Sequence, residues 1–189
     1  TNELAVFSDL ARPAADEVRR VWPQISLLRR RSVVATVADL YAGYLGLDYG
    51  AFLRIAIDDS DDVVRRFAIL GLNEEGAAPD LLGRYMQMLQ NEQEVAVRAA
   101  AAAALGAYIL DGELEELDSA LAVRAEQALM TVLTNPQEPA EVQCRALESI
   151  AYSGELGVRQ LIEYAYYSPE DERRLSALVA MGRSADQTF

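Results

Sequence analysis

The feature that most constrains this chain is an internal repeat. Taking Arg31, Arg65, Arg98, Gln143 and Arg174 as anchors, successive copies lie 34, 33, 45 and 31 residues apart. Three places after each anchor stand Val34, Ala68, Ala101, Ala146 and Ala177. Six places after stand Val37, Gly71, Ala104, Ser149 and Ala180, and seven places after Ala38, Leu72, Leu105, Ile150 and Met181. Offsets of three and seven return to one face of an α-helix, so every copy carries an apolar stripe. The compact residues at offsets three and six let a neighbouring helix approach closely, most of all along Ala99–Ala104.

Second helical segments are expected between these first helices, at Tyr49–Ile57, Asp80–Gln90, Ala120–Leu133 and Leu156–Tyr167. Gly46, Gly76 with Pro79, Gly112 and Gly154 separate the two helices of a pair. Asp58–Asp62, Asn91, Asn135-Pro136 and Ser168-Pro169 separate one pair from the next. These are the residues that stop and start helices. A lone hairpin cannot bury its stripe, whereas stacked hairpins can. The expected fold is therefore all-α, an α-solenoid (superhelix) of about five helical hairpins with the last incomplete. One domain over 1–189 is expected, with a capping helix at about 13–22 and repeats at about 26–57, 62–90, 93–134, 139–167 and, in part, 170–189. Trp22 should pack on the first hairpin, with Pro23 ending the capping helix.

Val64-Arg65-Arg66-Phe67-Ala68 with Leu72, and Val97-Arg98-Ala99-Ala100-Ala101 with Leu105-Gly106, resemble the V-R-x-x-A-x-x-x-L-G core of HEAT-like repeats. This version is similar to that of phycobilisome-lyase-type repeat proteins. The stretch from Arg12-Pro13 through Val18–Ile25 to Met181–Asp186 resembles a bacterial subgroup of HEAT-repeat proteins. The copies at Arg31, Gln143 and Arg174 depart from the motif. The resemblance implies that each anchor arginine bonds an acid near the preceding turn or in the adjacent repeat, with Asp61, Glu94 and Glu170 standing four places before Arg65, Arg98 and Arg174. It implies architecture and leaves the ligand open, because such repeats serve different partners.

Composition excludes much chemistry. All 17 basic residues are arginine, and there is no histidine and no lysine. Ser-His-Asp and Cys-His nucleophiles, histidine metal sites, lysine Schiff bases and the P-loop lysine are absent. The lone Cys144 makes no intrachain disulfide and no four-cysteine zinc site, and reads as an unreactive, partly buried thiol. Asp58–Asp62 is no calcium loop, because the sixth and twelfth places, Val63 and Ile69, lack the required glycine and glutamate. These acids read as helix caps in a solvated turn. The acidic stretch Asp111–Asp118 reads as a long connection between two longer helices. No catalytic residue, cofactor or metal is expected, and the chain is read as a non-enzyme. Without an apolar run of membrane-spanning length or a signal-peptide pattern, a cytoplasmic protein with no membrane partner is expected.

Two sets of residues are candidates for binding a partner. Each second helix carries an early arginine, Arg54, Arg84, Arg124 and Arg159, and in solenoids resembling this one the second helices line the concave face. Tyr164 and Tyr167, three apart on the last second helix, share a face. Of the other tyrosines, Tyr41 and Tyr108 both lie ten places past their anchors and should share a packing role; Tyr44, Tyr49, Tyr85, Tyr152 and Tyr166 complete the set. The expected function is a non-catalytic scaffold holding a protein partner. The alternative is bilin-lyase-like or chromophore handling, since lyases of the resembling kind attach or isomerise bilins on partner proteins. Nucleic acid is disfavoured by a net charge of −13. The chain, starting at Thr1, also reads as part of a longer protein. Its last stripe (Ala177, Ala180, Met181) should lie uncovered, to be met by further repeats or by self-association at the C-terminal end.

Overall fold

The computed structural model describes residues 2–43, 46–184, 186 and 189, and of Asn2 and Glu3 the backbone alone. Tyr44, Ala185, Gln187 and Thr188 fall outside the described residues. Among the described residues the secondary structure is entirely helical, ten α-helices and three short 3-10 turns. They form two compact units, Thr1–Glu75 and Gly76–Phe189.

The first unit holds α1 (Arg12–Val21), α2 (Leu27–Gly43), α3 (Gly50–Ala56) and α4 (Asp62–Leu72). α2 packs along α4, and α3 lies against α4 and α1. α1 ends at the Trp22-Pro23 turn, and the buried Trp22 ring meets Phe52 edge-on at 5.1 Å. Gly71, six places past its anchor, is required there, because a Cβ would stand 2.8 Å from Leu53 and 3.2 Å from the backbone of Ala38. Asp61 caps α4 through the Val64 N–H and accepts two bonds from Arg31, at 2.9 and 2.6 Å. It thus serves the arginine of the preceding repeat. Arg65 donates to the Asp59 carbonyl at 2.9 Å.

The turn before α4 differs from the solvated cap expected of it. The Asp59 side chain has no exposure and accepts from the Trp22 indole (2.6 Å), Arg30 (2.5 Å) and the Asp61 N–H (2.9 Å). Three donors offset the cost of taking a carboxylate out of water. Asp59 therefore ties the capping segment, α2 and the start of α4 together.

The second unit holds α5 (Leu82–Asn91), α6 (Val95–Glu113), α7 (Ser119–Leu133), α8 (Ala140–Ile150), α9 (Leu156–Tyr166) and α10 (Asp171–Arg183). α6, α8 and α10 lie side by side as one layer, backed by α5, α7 and α9. The stretched repeat spacing is absorbed by α6 and α7, which run 19 and 15 residues. Contrary to the expectation that no apolar run reaches membrane-spanning length, α6 is long and apolar enough to cross a membrane, yet 56% of its most apolar window is buried inside the protein, as in a core helix. The alanine run explains why it sits there. Ala99, Ala101, Ala102, Ala104 and Leu105 are buried, and a Cβ on Gly106 would stand 3.1 Å from Ser149. Arg98 donates to the Leu89 carbonyl at 2.9 Å and pairs with the buried Glu138 at 2.5 Å. Its acid comes from the next repeat, not from Glu94. Arg174 bonds the Ser168 and Pro169 carbonyls and pairs with Asp171, so Glu170 is not its acceptor either.

The last first helix also differs from expectation. Ala177 and Ala180 are fully buried, because offsets three and six face back onto α8 and α9. The apolar side chains left in water are Leu175, Leu178 and Val179.

Candidate protein-binding surface

Of the four early arginines, Arg54 stands on α3 in the first unit. Both of its terminal nitrogens lie 2.8 Å from the Glu75 carboxylate. The pair leaves no room for a side chain at Gly50, whose Cβ would overlap Glu75. Arg84 on α5 donates to Gln87 at 3.0 Å. Arg159 on α9 bonds Glu163 and Asp186, at 3.0 and 3.1 Å, and lies 5.7 Å from the Phe189 ring centre. These bonds hold its guanidinium pKa above the usual value. Arg124 on α7 is exposed and has no side-chain partner among the described residues. Three of the four cations thus already hold acceptors of their own.

The tyrosines divide by place. Tyr108 is buried, donates to the Ala78 carbonyl at 2.5 Å and meets Tyr85 edge-on at 6.4 Å. Tyr41 donates to Asp48 at 3.3 Å and meets Tyr49 edge-on at 6.0 Å. Burial, with the charges of Glu75 and Asp48, pushes the Tyr41 phenol well above its ordinary range. The shared place ten residues past the anchor therefore has a shared use: each phenol ties its helix to a connecting segment and stacks on a second tyrosine.

Tyr164 and Tyr167 behave differently, with 76% and 82% of their surface exposed. Tyr166, 40% exposed, stacks edge-on against Tyr167 at 5.2 Å. Tyr164 stands at the rim of an apolar cavity of about 130 Å³, lined also by Leu133, Cys144, Leu147, Leu161 and Arg173. Arg173 is held at the rim by Gln143, 2.9 Å away. Cys144 is buried, and that burial pushes its thiol pKa up. This is the opposite of the activation a nucleophilic thiol needs.

Two features were not anticipated in the sequence. One is a hollow of about 330 Å³ beside Trp22, Arg30 and Asp59 in the first unit. The other is the exposed face of α10, signalled by the spacing of Leu175, Leu178 and Val179 at i, i+3 and i+4. Among the described residues, no group of three or more Asp, Glu or Cys is placed to hold a metal ion.

No protein-family model matches the sequence, and no curated protein matches it. Among solved structures, the chain is similar to one in the complex of CpcE and CpcF of phycocyanin lyase from Nostoc sp. PCC7120. The TM-score is 0.62 at 17% identity, over 89% of this chain and 98% of that one. At that identity the likeness speaks for the fold, which is all-α and of the HEAT-like solenoid class.

Proposed function

We propose that this chain is a non-catalytic scaffold that holds a protein partner on the surface around the end of α9, with Tyr164 and Tyr167 as its main contacts. The observation that carries this reading is two tyrosine rings largely in water at the end of α9, one of which, Tyr164, lines an apolar depression. Tyrosine presents a large, rigid contact area with a hydroxyl for orientation, at little entropic cost. Arg124, Arg84 and Arg159 supply donors on the same unit. Arg124 enters without first breaking an internal bond. That the similar solved structure is a complex of two chains supports a protein as the partner. Soluble, cytoplasmic operation without a membrane fits this reading.

A second reading is chromophore handling, favoured by the likeness to a phycocyanin lyase. Size weighs against an enclosed pigment at the α9 surface, though not at the hollow of about 330 Å³ in the first unit. The cavity beside Tyr164 holds about 130 Å³, against roughly 300–1,000 Å³ for sites that enclose a drug-sized ligand.

The test is affinity capture from cells of the source organism with the wild-type chain and with Tyr164→Ala/Tyr167→Ala, followed by calorimetry on the purified partner. The scaffold reading expects one protein recovered by wild type and lost or weakened at least about tenfold with the double variant. Equal recovery by both proteins would refute this surface. A separate mixing experiment with a free bilin distinguishes the second reading. A red-shifted absorbance band that survives gel filtration supports it, and no change in the spectrum removes it.

A further inference from the structure

We propose that the hollow beside Trp22 and Arg30 in the first unit is a binding site for a small zwitterion, a free α-amino acid with an apolar side chain. This site is separate from the α9 surface and does not depend on it.

Two stretches of opposite charge meet at the hollow. Residues 12–31 carry six arginines against two acids, Asp16 and Glu17, whereas the turn 58–62 consists of four aspartates and one serine. Arg30 to Asp59 and Arg31 to Asp61 close the seam between them. Beside Arg30 the seam stays open, leaving about 330 Å³ whose apolar walls are Trp22, Pro23 and Ile55. That volume stands at the small end of ligand sites, which span roughly 300–1,000 Å³.

The polar lining keeps bonding capacity in reserve. Arg30 gives Asp59 two bonds, both from Nη1. Its Nε is buried without an acceptor, and no acceptor among the described residues meets its Nη2. The Asp59 side chain has no exposure and holds three donors, so it neutralises Arg30 and is itself closed to a ligand. Arg19 lines the hollow from α1 with a side chain 64% exposed, and pairs with Asp16 three places back. An exposed pair of this kind holds weakly and re-forms readily with another acid. Asp58 and Ser60, both exposed, add a carboxylate and a hydroxyl to the lining.

The class of ligand follows from these groups. Arg30 and Asp59 neutralise each other, while Arg19 and Asp58 bring one charge of each sign. A phosphate or other polyanion would set its charge against Asp58, and a simple amine would face Arg19 and the unused edge of Arg30. A carboxylate and an ammonium one bond apart suit both. The carboxylate accepts from Arg30 Nη2 and Arg19, and the ammonium donates to Asp58 and Ser60. The remaining surface, an indole ring with Pro23 and Ile55, matches an aliphatic or aromatic side chain.

Trp22 is the one tryptophan of the chain, so its fluorescence reports what enters the hollow. The experiment titrates the full chain with leucine, isoleucine, methionine and phenylalanine, following Trp22 emission and, in parallel, heat by calorimetry. At least one should give a saturable one-to-one change. For leucine, 4-methylpentanoate keeps the carboxylate and the aliphatic chain but lacks the amine, and leucinamide keeps the amine but lacks the carboxylate. The corresponding pair of analogues of whichever amino acid binds should each bind at least about tenfold more weakly. Arg19→Ala/Asp58→Asn should weaken the amino acid by a similar factor, whereas Arg20→Ala, also on α1 but outside the hollow, should leave it unchanged. Arg30 is left intact because its loss would strand the buried Asp59, and thermal melts close to wild type show that the double variant is folded. Silence of both readouts with all four amino acids overturns the proposal. Equal binding by either analogue also overturns it, because one charge alone would then suffice, as does undiminished binding by the folded double variant.

Discussion

Two acids in one turn carry different duties. Asp59 sits beneath the surface with Trp22, Arg30 and the Asp61 N–H as donors. Removing one partner of a buried pair leaves the other charge uncompensated. Asp59→Ala should therefore destabilise the first unit by about 3–5 kcal/mol, read from urea midpoints. Asp61 lies nearer water, and its two bonds from Arg31 hold its pKa below the ordinary carboxylate value against the opposing effect of burial. A group whose pKa is depressed on folding stabilises fully above the unfolded value and loses that contribution as pH falls through the folded one. Stability should thus drop below about pH 4, and Asp61→Asn should make the urea midpoint less sensitive to pH between about 3 and 5. If wild type and variant have the same pH slope, Arg31 is not what holds this carboxylate ionised.

The joints between helices were largely readable in advance, because close packing leaves a mark in residue size. Ala101, Ala104 and Ser149 stand where helices touch, and Gly106 shows how little room there is. Gly106→Ala should overpack Ser149 and cost about 1–3 kcal/mol. Gly182→Ala, where a Cβ meets nothing, should stabilise the isolated chain by up to about 1 kcal/mol through helix propensity. Equal effects in thermal unfolding would mean that Gly106 is not crowded by Ser149 or that Gly182 is not open. The arginine partners were less legible. Spacing along one helix put Asp61 near Arg65 and Glu94 near Arg98, but side-chain direction on a helix and the approach of the adjoining hairpin give these arginines carbonyls or acids of other segments. The stripe of α10 was misread for a related reason. Offsets three and six are small because they face backward, so they say nothing about what the forward face exposes.

Across the whole chain, 30 acids against 17 arginines set a field that repels polyanions. At about 150 mM salt, binding to duplex DNA should be undetectable by anisotropy at micromolar protein; a measurable, salt-sensitive affinity would contradict this. The same field should favour a partner whose docking surface is basic, and association should slow as salt is added. The class of fold follows from periodicity, since a repeated stripe has few ways to be buried. The binding surface does not. Nine tyrosines look alike in a sequence, and which are core and which are exposed depends on the side of the helix each occupies: Tyr85 of α5 is buried, whereas Tyr164 of α9, in the same layer, is exposed.

The position of Cys144 makes the protein its own stopwatch. Its sulfur is the one thiol in the chain and is buried, while its carbonyl accepts from Ser176 of α10. An alkylating reagent can reach it when α10 lifts away or the unit opens, so modification by mass spectrometry should follow that opening rather than reagent concentration once reagent is in excess. A thiol that reacts at the rate of a free cysteine would mean that the α8–α10 joint is not closed in solution.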